Sequence, residues 1–183
     1  MFKKVYLVCL IIFPFMVCSG MVYSILSLFF AKVGASRSQI GFIYTSGALA
    51  GAVTAPFWGR LADRWGKRKI LLSSMIAFLL VFLGYAFSSR YTHLFFIQVV
   101  EGMAWTAMSA SATALIADVA PKKQRGEAMG IYNTAWSIGW VIGPSLGGML
   151  SEHIDFHLTF IFCAFLMLCG IVLGFLLPKE TTS

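Results

Sequence analysis

Six long stretches of this chain carry little or no charge, and short charged segments separate them; that alternation leaves very few folds open. The stretches cover residues 5–31, 39–59, 70–89, 91–117, 128–151 and 158–178. At a rise of about 1.5 Å per residue, each is long enough to cross a hydrocarbon layer of about 30 Å. Inside lipid every backbone N–H and C=O must find its partner within the protein, so such stretches are helices and not irregular chain. Composition agrees, with 59% hydrophobic and only 11% charged residues, whereas a soluble domain carries about 25% charged residues to hold a hydrated surface. The expectation is an all-α integral membrane protein. Residues 1–183 form a single transmembrane domain of six helices, at about 5–31, 39–60, 69–89, 91–117, 126–151 and 157–177. The first apolar run far exceeds the core of a signal peptide, about 7–15 residues, and is expected to stay as the first helix.

The net charge of +7 is a matter of loops. Counting lysine and arginine on alternate sides gives one side Lys3, Lys4, Arg60, Arg64, Lys67, Arg68, Lys69, Lys122, Lys123, Arg125 and Lys179. The other side holds Lys32, Arg37 and Arg90. Cations gather on the cytoplasmic side of membrane proteins, so both termini are expected in the cytoplasm, with the cell membrane as the location. Basicity arranged this way is a topology signal, and no nucleic-acid partner is expected. Cys9, Cys18, Cys163 and Cys169 fall in apolar runs without a CxxC spacing and read as buried small hydrophobes. Glu152, His153, Asp155 and His157 read as hydrated loop charges, and no metal site is expected. No phosphate-cradling loop, nucleophile elbow or zinc-protease motif occurs, so neither an enzyme nor a cofactor is expected.

Two segments carry more than topology. The loop after the second helix reads Gly59-Arg60-Leu61-Ala62-Asp63-Arg64-Trp65-Gly66-Lys67-Arg68-Lys69-Ile70-Leu71. Its cations suit an anionic membrane surface, Gly59 and Gly66 permit a tight turn, and Asp63 is an acid that a membrane tether does not need. The fifth helix carries Gly130, then Gly139, Gly143, Pro144, Gly147 and Gly148. Residues four apart lie about 40° apart around a helix, so Gly139, Gly143 and Gly147 form a flat stripe that another helix can approach closely, with Gly130 about half a turn away. Pro144 withholds a backbone donor and invites a bend. In the second helix Gly47, Gly51, Ala55 and Gly59 repeat the packing device.

The loop resembles the signature loop of the major facilitator superfamily, G-x-L-A-D-R-x-G-R-K-x-x-L. The fifth helix resembles the antiporter motif of that superfamily's drug/proton antiporters, G(x8)G(x3)GP(x2)GG, at every specified position. The resemblance covers almost the whole chain and implies the amino-terminal half of such a transporter, built as two inverted three-helix repeats. It further implies that Gly59, Asp63, Arg64, Gly66 and Arg68 belong to a gate. Asp118 and Arg125 would neighbour that loop, and Asp63, Arg64, Asp118 and Arg125 would form a network that locks one state. Members of the family use twelve helices, so a second six-helix half, from the same or another chain, is an expected partner beside the lipid bilayer and a small-molecule substrate.

Glu101 is the one acidic residue well inside an apolar run. A charge there costs at least about 2.5–3.5 kcal/mol and is rarely placed without a use. Gln98, Glu101 and Trp105 share a helix face. The helix-four motif R-x-x-Q-G of proton-coupled members is replaced here by Gln98-x-x-Glu101-Gly102, so the expected arginine is missing. An acid without that partner suits a proton or a cationic substrate, with Trp105, Tyr132, Trp136 and Trp140 as candidate aromatic contacts. The function so implied is proton-coupled efflux of a small amphipathic or cationic compound. An uncoupled or importing facilitator is one alternative, and a half acting only as a membrane interaction protein is another. The orientation is open to a direct test. On a cysteine-free background, single cysteines at positions 34, 92 and 152 are expected to react with an impermeant maleimide added outside intact cells; reaction only after the inner face is opened overturns the assignment.

Overall fold

The computed structural model describes residues 2–175, and six helices carry the fold: α1 (Lys3–Lys32), α2 (Arg37–Trp65), α3 (Lys67–Phe87), α4 (Tyr91–Val119), α5 (Arg125–His153) and α6 (Phe156–Gly174). No strand occurs among the described residues. The end of the sixth predicted helix, with Pro178 and Lys179, lies outside them. Five of the helices are long and apolar enough to cross a membrane on composition alone. The exception is α5, where glycine, serine, Asn133 and Thr134 occupy positions that leucine or isoleucine would fill elsewhere.

Helix ends extend past the charge-free runs because local bonds carry them on. Ser36 caps α2: its hydroxyl accepts from the Gln39 amide at 3.3 Å while the Gln39 side chain accepts from the Ser36 amide at 2.8 Å. At its other end α2 continues through Gly59 to Trp65, so Gly59 lies inside the helix and makes no turn. The turn into α3 is made by Gly66 alone, whose φ of 100° suits a residue without a Cβ.

The helices pair by a rule that the two triplets share. α1 lies along α5, and α2 lies along α4; α3 packs on α4 as α6 packs on α1, and α3 meets α6. Exchanging the first triplet for the second leaves this list unchanged, which is the signature of an internal two-fold repeat. The core sits between α1, α3, α4 and α6, filled by Phe15, Phe29, Phe78, Phe82 and Phe160. By contrast, α2 buries only Ile43, Gly47, Gly51 and Ala62 along its length, and α5 only Ala128, Tyr132, Gly139, Gly143 and Gly147.

Both of those thin helices are held by backbone approach. A Cβ built on Gly139 would come within 2.7 Å of the Met16 Cβ, and one on Gly143 within 2.8 Å of the Gly20 Cα. One on Gly147 would lie 2.7 Å from the Met21 Cα. Gly130 and Gly148 face open space. On the other pair, a Cβ on Gly102 would overlap the Gly47 carbonyl, and one on Gly51 would lie 3.0 Å from the Gly102 carbonyl. The expected four-residue stripe of α2 stops there. Ala55 is exposed and Gly59 meets nothing within 4 Å, so of this stripe only Gly47 and Gly51 make the close backbone contact with α4.

Charges gather at the helix ends. Lys67 at the start of α3 pairs with Asp118 near the end of α4, Arg68 donates to the Phe175 carbonyl at 2.9 Å, and Arg125 donates to the Ala117 carbonyl at 3.0 Å. The expected network is therefore rearranged: Asp118 takes Lys67 and not Arg125, whose nearer acceptor is the uncapped end of α4. Asp63 and Arg64 are exposed and bond to none of the described residues. At the opposite ends Lys32 pairs with Asp155 at 3.0 Å, and its hydrogen bond holds that carboxyl below its ordinary range. His157 there approaches the Ala86 carbonyl at 2.5 Å through Nδ1.

The glycine contacts predict a contrast on a single helix. Gly143→Leu forces bulk between two backbones and is expected to cost about 1–3 kcal/mol. Gly148→Leu, facing open space, is expected to stay within about 0.5 kcal/mol of the parent. Thermal unfolding in detergent checks both, and equal midpoints for the two variants would rule out the close α1–α5 contact.

Candidate functional site

A cleft of about 720 Å³ opens between α2 and α4, with Tyr23 of α1 and Trp140 of α5 at its sides. The glycines decide its shape. Gly47 brings α2 onto α4 and leaves room for the Gln98 side chain: a Cβ at Gly47 would stand 2.5 Å from the Gln98 Oε1. Any larger residue at position 47 would displace either the helix or the carboxamide. Gly102, one residue past Glu101, allows the same approach from the α4 side.

Glu101 borders the cleft yet is only 8% exposed, and its neighbour Gln98 is 5% exposed. Two neutral donors hold the carboxyl. The Tyr85 hydroxyl, from fully buried Tyr85 of α3, donates to Glu101 Oε2. Gln98 Nε2 donates to the same oxygen at 2.8 Å and to the Tyr85 oxygen at 2.9 Å. The three side chains close a ring in which every donated proton points toward the carboxyl or the tyrosine that serves it. Oε1 has no partner among the described residues. One oxygen is thus anchored in the protein, and the other is the oxygen left for a proton, a water or a ligand.

No basic residue lines the cleft. Its walls are aromatic: the rings of Tyr23 and Tyr44 stand 6.1 Å apart, and those of Tyr23 and Trp140 5.7 Å. The floor is Trp105, set edge-on to Trp136 at 5.6 Å and packed on Phe15 at 5.9 Å. A carboxyl among aromatic faces, with no cation of its own, suits a cationic group brought from outside.

The structure brings Gln98, Glu101, Trp105 and Trp140 together in this cleft. Tyr132 and Trp136 lie on the other side of Trp105, around a smaller hollow. The residues of the signature loop, with Asp118 and Arg125, lie at the far ends of the helices and do not line the cleft. Sequence reasoning missed Tyr85, Tyr23 and Tyr44. Tyr85 offered one signal, because a tyrosine in an apolar span needs a partner for its hydroxyl. Nothing in the linear sequence says that the partner is Glu101.

The family model for the Major Facilitator Superfamily matches residues 8–183. The chain is 29% identical over 174 residues to an uncharacterized MFS-type transporter of Methanocaldococcus jannaschii, covering 95% of this chain and 45% of that protein. It is 26% identical over 184 residues to the quinolone resistance protein NorA of Staphylococcus aureus, covering 99% of this chain and 47% of NorA. Among solved structures, the human organic anion transporter MFSD10 (TETRAN) superposes with a TM-score of 0.79 at 18% identity, over 95% of this chain and 47% of that one; this likeness is one of fold. The chain therefore spans about half the length of the curated relatives it matches.

The anchoring ring makes its own prediction. Tyr85→Phe keeps the ring packing and removes the donor, and is expected to cost about 1–3 kcal/mol of stability. Combined with Glu101→Gln, the two changes are expected to be non-additive by at least about 0.5 kcal/mol. Thermal unfolding of the four proteins checks the cycle, and strictly additive losses would show that the two side chains do not interact.

Proposed function

This chain belongs to the Major Facilitator Superfamily, and we propose that it is the amino-terminal half of a secondary transporter that exports a small amphipathic or cationic compound in exchange for protons. The observation that carries the proposal is the state of Glu101: buried among apolar helices, fixed through Oε2 by neutral donors, and open at Oε1 to an aromatic-walled cleft. A carboxylic acid holds a proton and a carboxylate holds a cation, but one carboxyl does not hold both. Loss of the proton to one side of the membrane makes room for the cation. Return of a proton from the other side expels it. The name of NorA, a quinolone resistance protein, supports an exported drug-like compound.

The rest of the fold supports the same reading. Relatives about twice as long supply a second half, and the exposed faces of α2 and α5 are where that half would close the cleft into a path. The cation-rich helix ends carry the cytoplasmic assignment, with both termini inside and the cell membrane as the location. Asp63 and Arg64 bond to none of the described residues, which leaves them available to meet the second half there as its gate. One observation favours a rival: Gln98 stands where proton-coupled members carry arginine, which fits a facilitator without proton coupling.

Glu101→Gln separates these readings, because it keeps the shape and removes the titrating charge. The protein is reconstituted in proteoliposomes with its second half, and tetraphenylphosphonium is the probe. If protons are the coupling ion, gradient-driven accumulation falls at least about tenfold while gradient-free exchange survives. If Glu101 only binds the cation, both activities fall by that factor and a neutral substrate is spared. Parent-level activity in both assays overturns any transport role for Glu101.

A further inference from the structure

We propose that His157 of α6 is a positioning residue for the carboxyl site: by holding the last turn of α3 from a second helix, it keeps the Tyr85 hydroxyl on Glu101. Its bearing on transport rests on the reading of Glu101 above; its bearing on the geometry of the carboxyl is tested separately.

Tyr85 has an exacting task in an insecure place. Its hydroxyl donates to Glu101 Oε2 and accepts from Gln98 Nε2 at 2.9 Å, yet it stands only two residues before the end of α3 at Phe87. The last four carbonyls of a helix have no donor of their own, and terminal turns fray. α3 has no basic residue in its last turn to serve them. The chain that follows serves one: the Ser88 amide donates to the Tyr85 carbonyl at 3.2 Å. The next carbonyl, that of Ala86, is served by another helix, with His157 Nδ1 at 2.5 Å. A carbonyl only accepts, so Nδ1 carries the hydrogen, in the neutral ring as in the charged one.

His157 is itself held in place. Asp155 begins α6, and its carboxylate accepts from the His157 amide at 3.4 Å. The same carboxylate takes Lys32 of α1 at 3.0 Å. Buried Thr159 donates twice to the Asp155 carbonyl, from its amide at 3.0 Å and from its hydroxyl at 2.7 Å. The ring of Phe29 meets the imidazole edge-on at 5.8 Å. Phe29 also stands edge-on to Tyr85 at 6.4 Å and to Phe160 at 4.9 Å, and Phe160 lies 5.4 Å from Tyr85. A displaced imidazole is therefore felt at Tyr85 by two paths, the α3 backbone through Ala86 and the ring of Phe29.

With the Ala86 carbonyl unserved, the last turn of α3 is free to unwind, and Tyr85 goes with it. Gln98 is then the one group left on Oε2 among the described residues. The neighbouring histidine is a contrast. His153 is exposed, and its Nδ1 meets the Met149 carbonyl of its own helix at 3.0 Å. In the sequence both histidines read as hydrated loop groups; packing gives one of them a task at the carboxyl.

The readout is the infrared C=O stretch of the protonated Glu101 carboxyl, recorded at acidic pH on the full chain in lipid nanodiscs and assigned by its loss in Glu101→Gln. A hydrogen bond accepted at Oε2 weakens that C=O bond, so Tyr85→Phe is expected to move the band to higher wavenumber. His157→Ala is expected to move it the same way by at least about half as much, and to add nothing in combination with Tyr85→Phe. His157→Asn, whose Nδ2 can replace Nδ1 as donor, is expected to restore the parent band, and His153→Ala to leave it in place. Circular dichroism and elution volume establish that each variant is folded. A band that His157→Ala or Tyr85→Phe leaves unmoved overturns the proposal, as does a His157→Ala shift that persists in full beside Tyr85→Phe. Equal movement in His157→Ala, His157→Asn and His153→Ala reports general loosening and overturns it too. A band that behaves as expected while Glu101→Gln transports tetraphenylphosphonium at the parent level sinks the transport reading alone.

Discussion

The contact on which everything else rests is backbone against backbone, at Gly47 on Gly102 and at Gly143 on Gly20. Within a bilayer, helices gain nothing from hiding apolar side chains from lipid, so close approach and dispersion must hold them. Glycine supplies that approach twice. α2 and α5 bury little beyond their glycine stripes and leave most of their length uncovered. The same closeness sets the chemistry: with α2 drawn onto α4, Gln98 has room only beside Gly47, and from there its amide reaches both Glu101 and Tyr85. A packing device thus becomes a positioning device.

The internal repeat uses one scaffold for two purposes. The contacts of α1 with α5 and of α4 with α2 are equivalent in plan, but the side chains beside them are not. Where α4 carries Gln98 and Glu101 next to its close contact, α1 carries Met16, Val17 and Met21 beside its own. One symmetric frame therefore bears an asymmetric site. That asymmetry is why no residue-level repeat is visible in the sequence: the symmetry lives in helix spacing, which only a few glycines specify.

Helix number and family were legible because lipid imposes long charge-free runs and because two motifs keep their spacing. The α5 stripe was legible too, since glycines four apart define a face without further information. Other features depend on distances between helices. The α2 stripe read as four residues long, but the crossing with α4 uses only Gly47 and Gly51. Gly59 read as a turn residue, yet α2 is carried on to Trp65 and, of the two loop glycines, it is Gly66 that adopts a positive φ. Asp118 sits near several cations in sequence, and the geometry of the helix ends gives it Lys67. Tyr85 was the largest gap: its hydroxyl completes the site, but α3 and α4 must be packed before that bond exists.

What Glu101 is bonded to matters more than its burial. Charges elsewhere in the described chain that pair do so with opposite charges at the helix ends, as in Lys67 with Asp118 and Lys32 with Asp155. Water is near in those places, and such pairs contribute little. A cation beside Glu101 would act differently. In a low-dielectric interior a fixed arginine would hold the carboxylate ionised, and removing either charge would leave the other stranded at a cost of several kcal/mol. Tyrosine and glutamine satisfy one oxygen without neutralising the group. A proton or a cation at the second oxygen would then have no built-in counter-charge to displace. With Gln98 and Tyr85 as its partners, Glu101 carries no built-in counter-charge among the described residues.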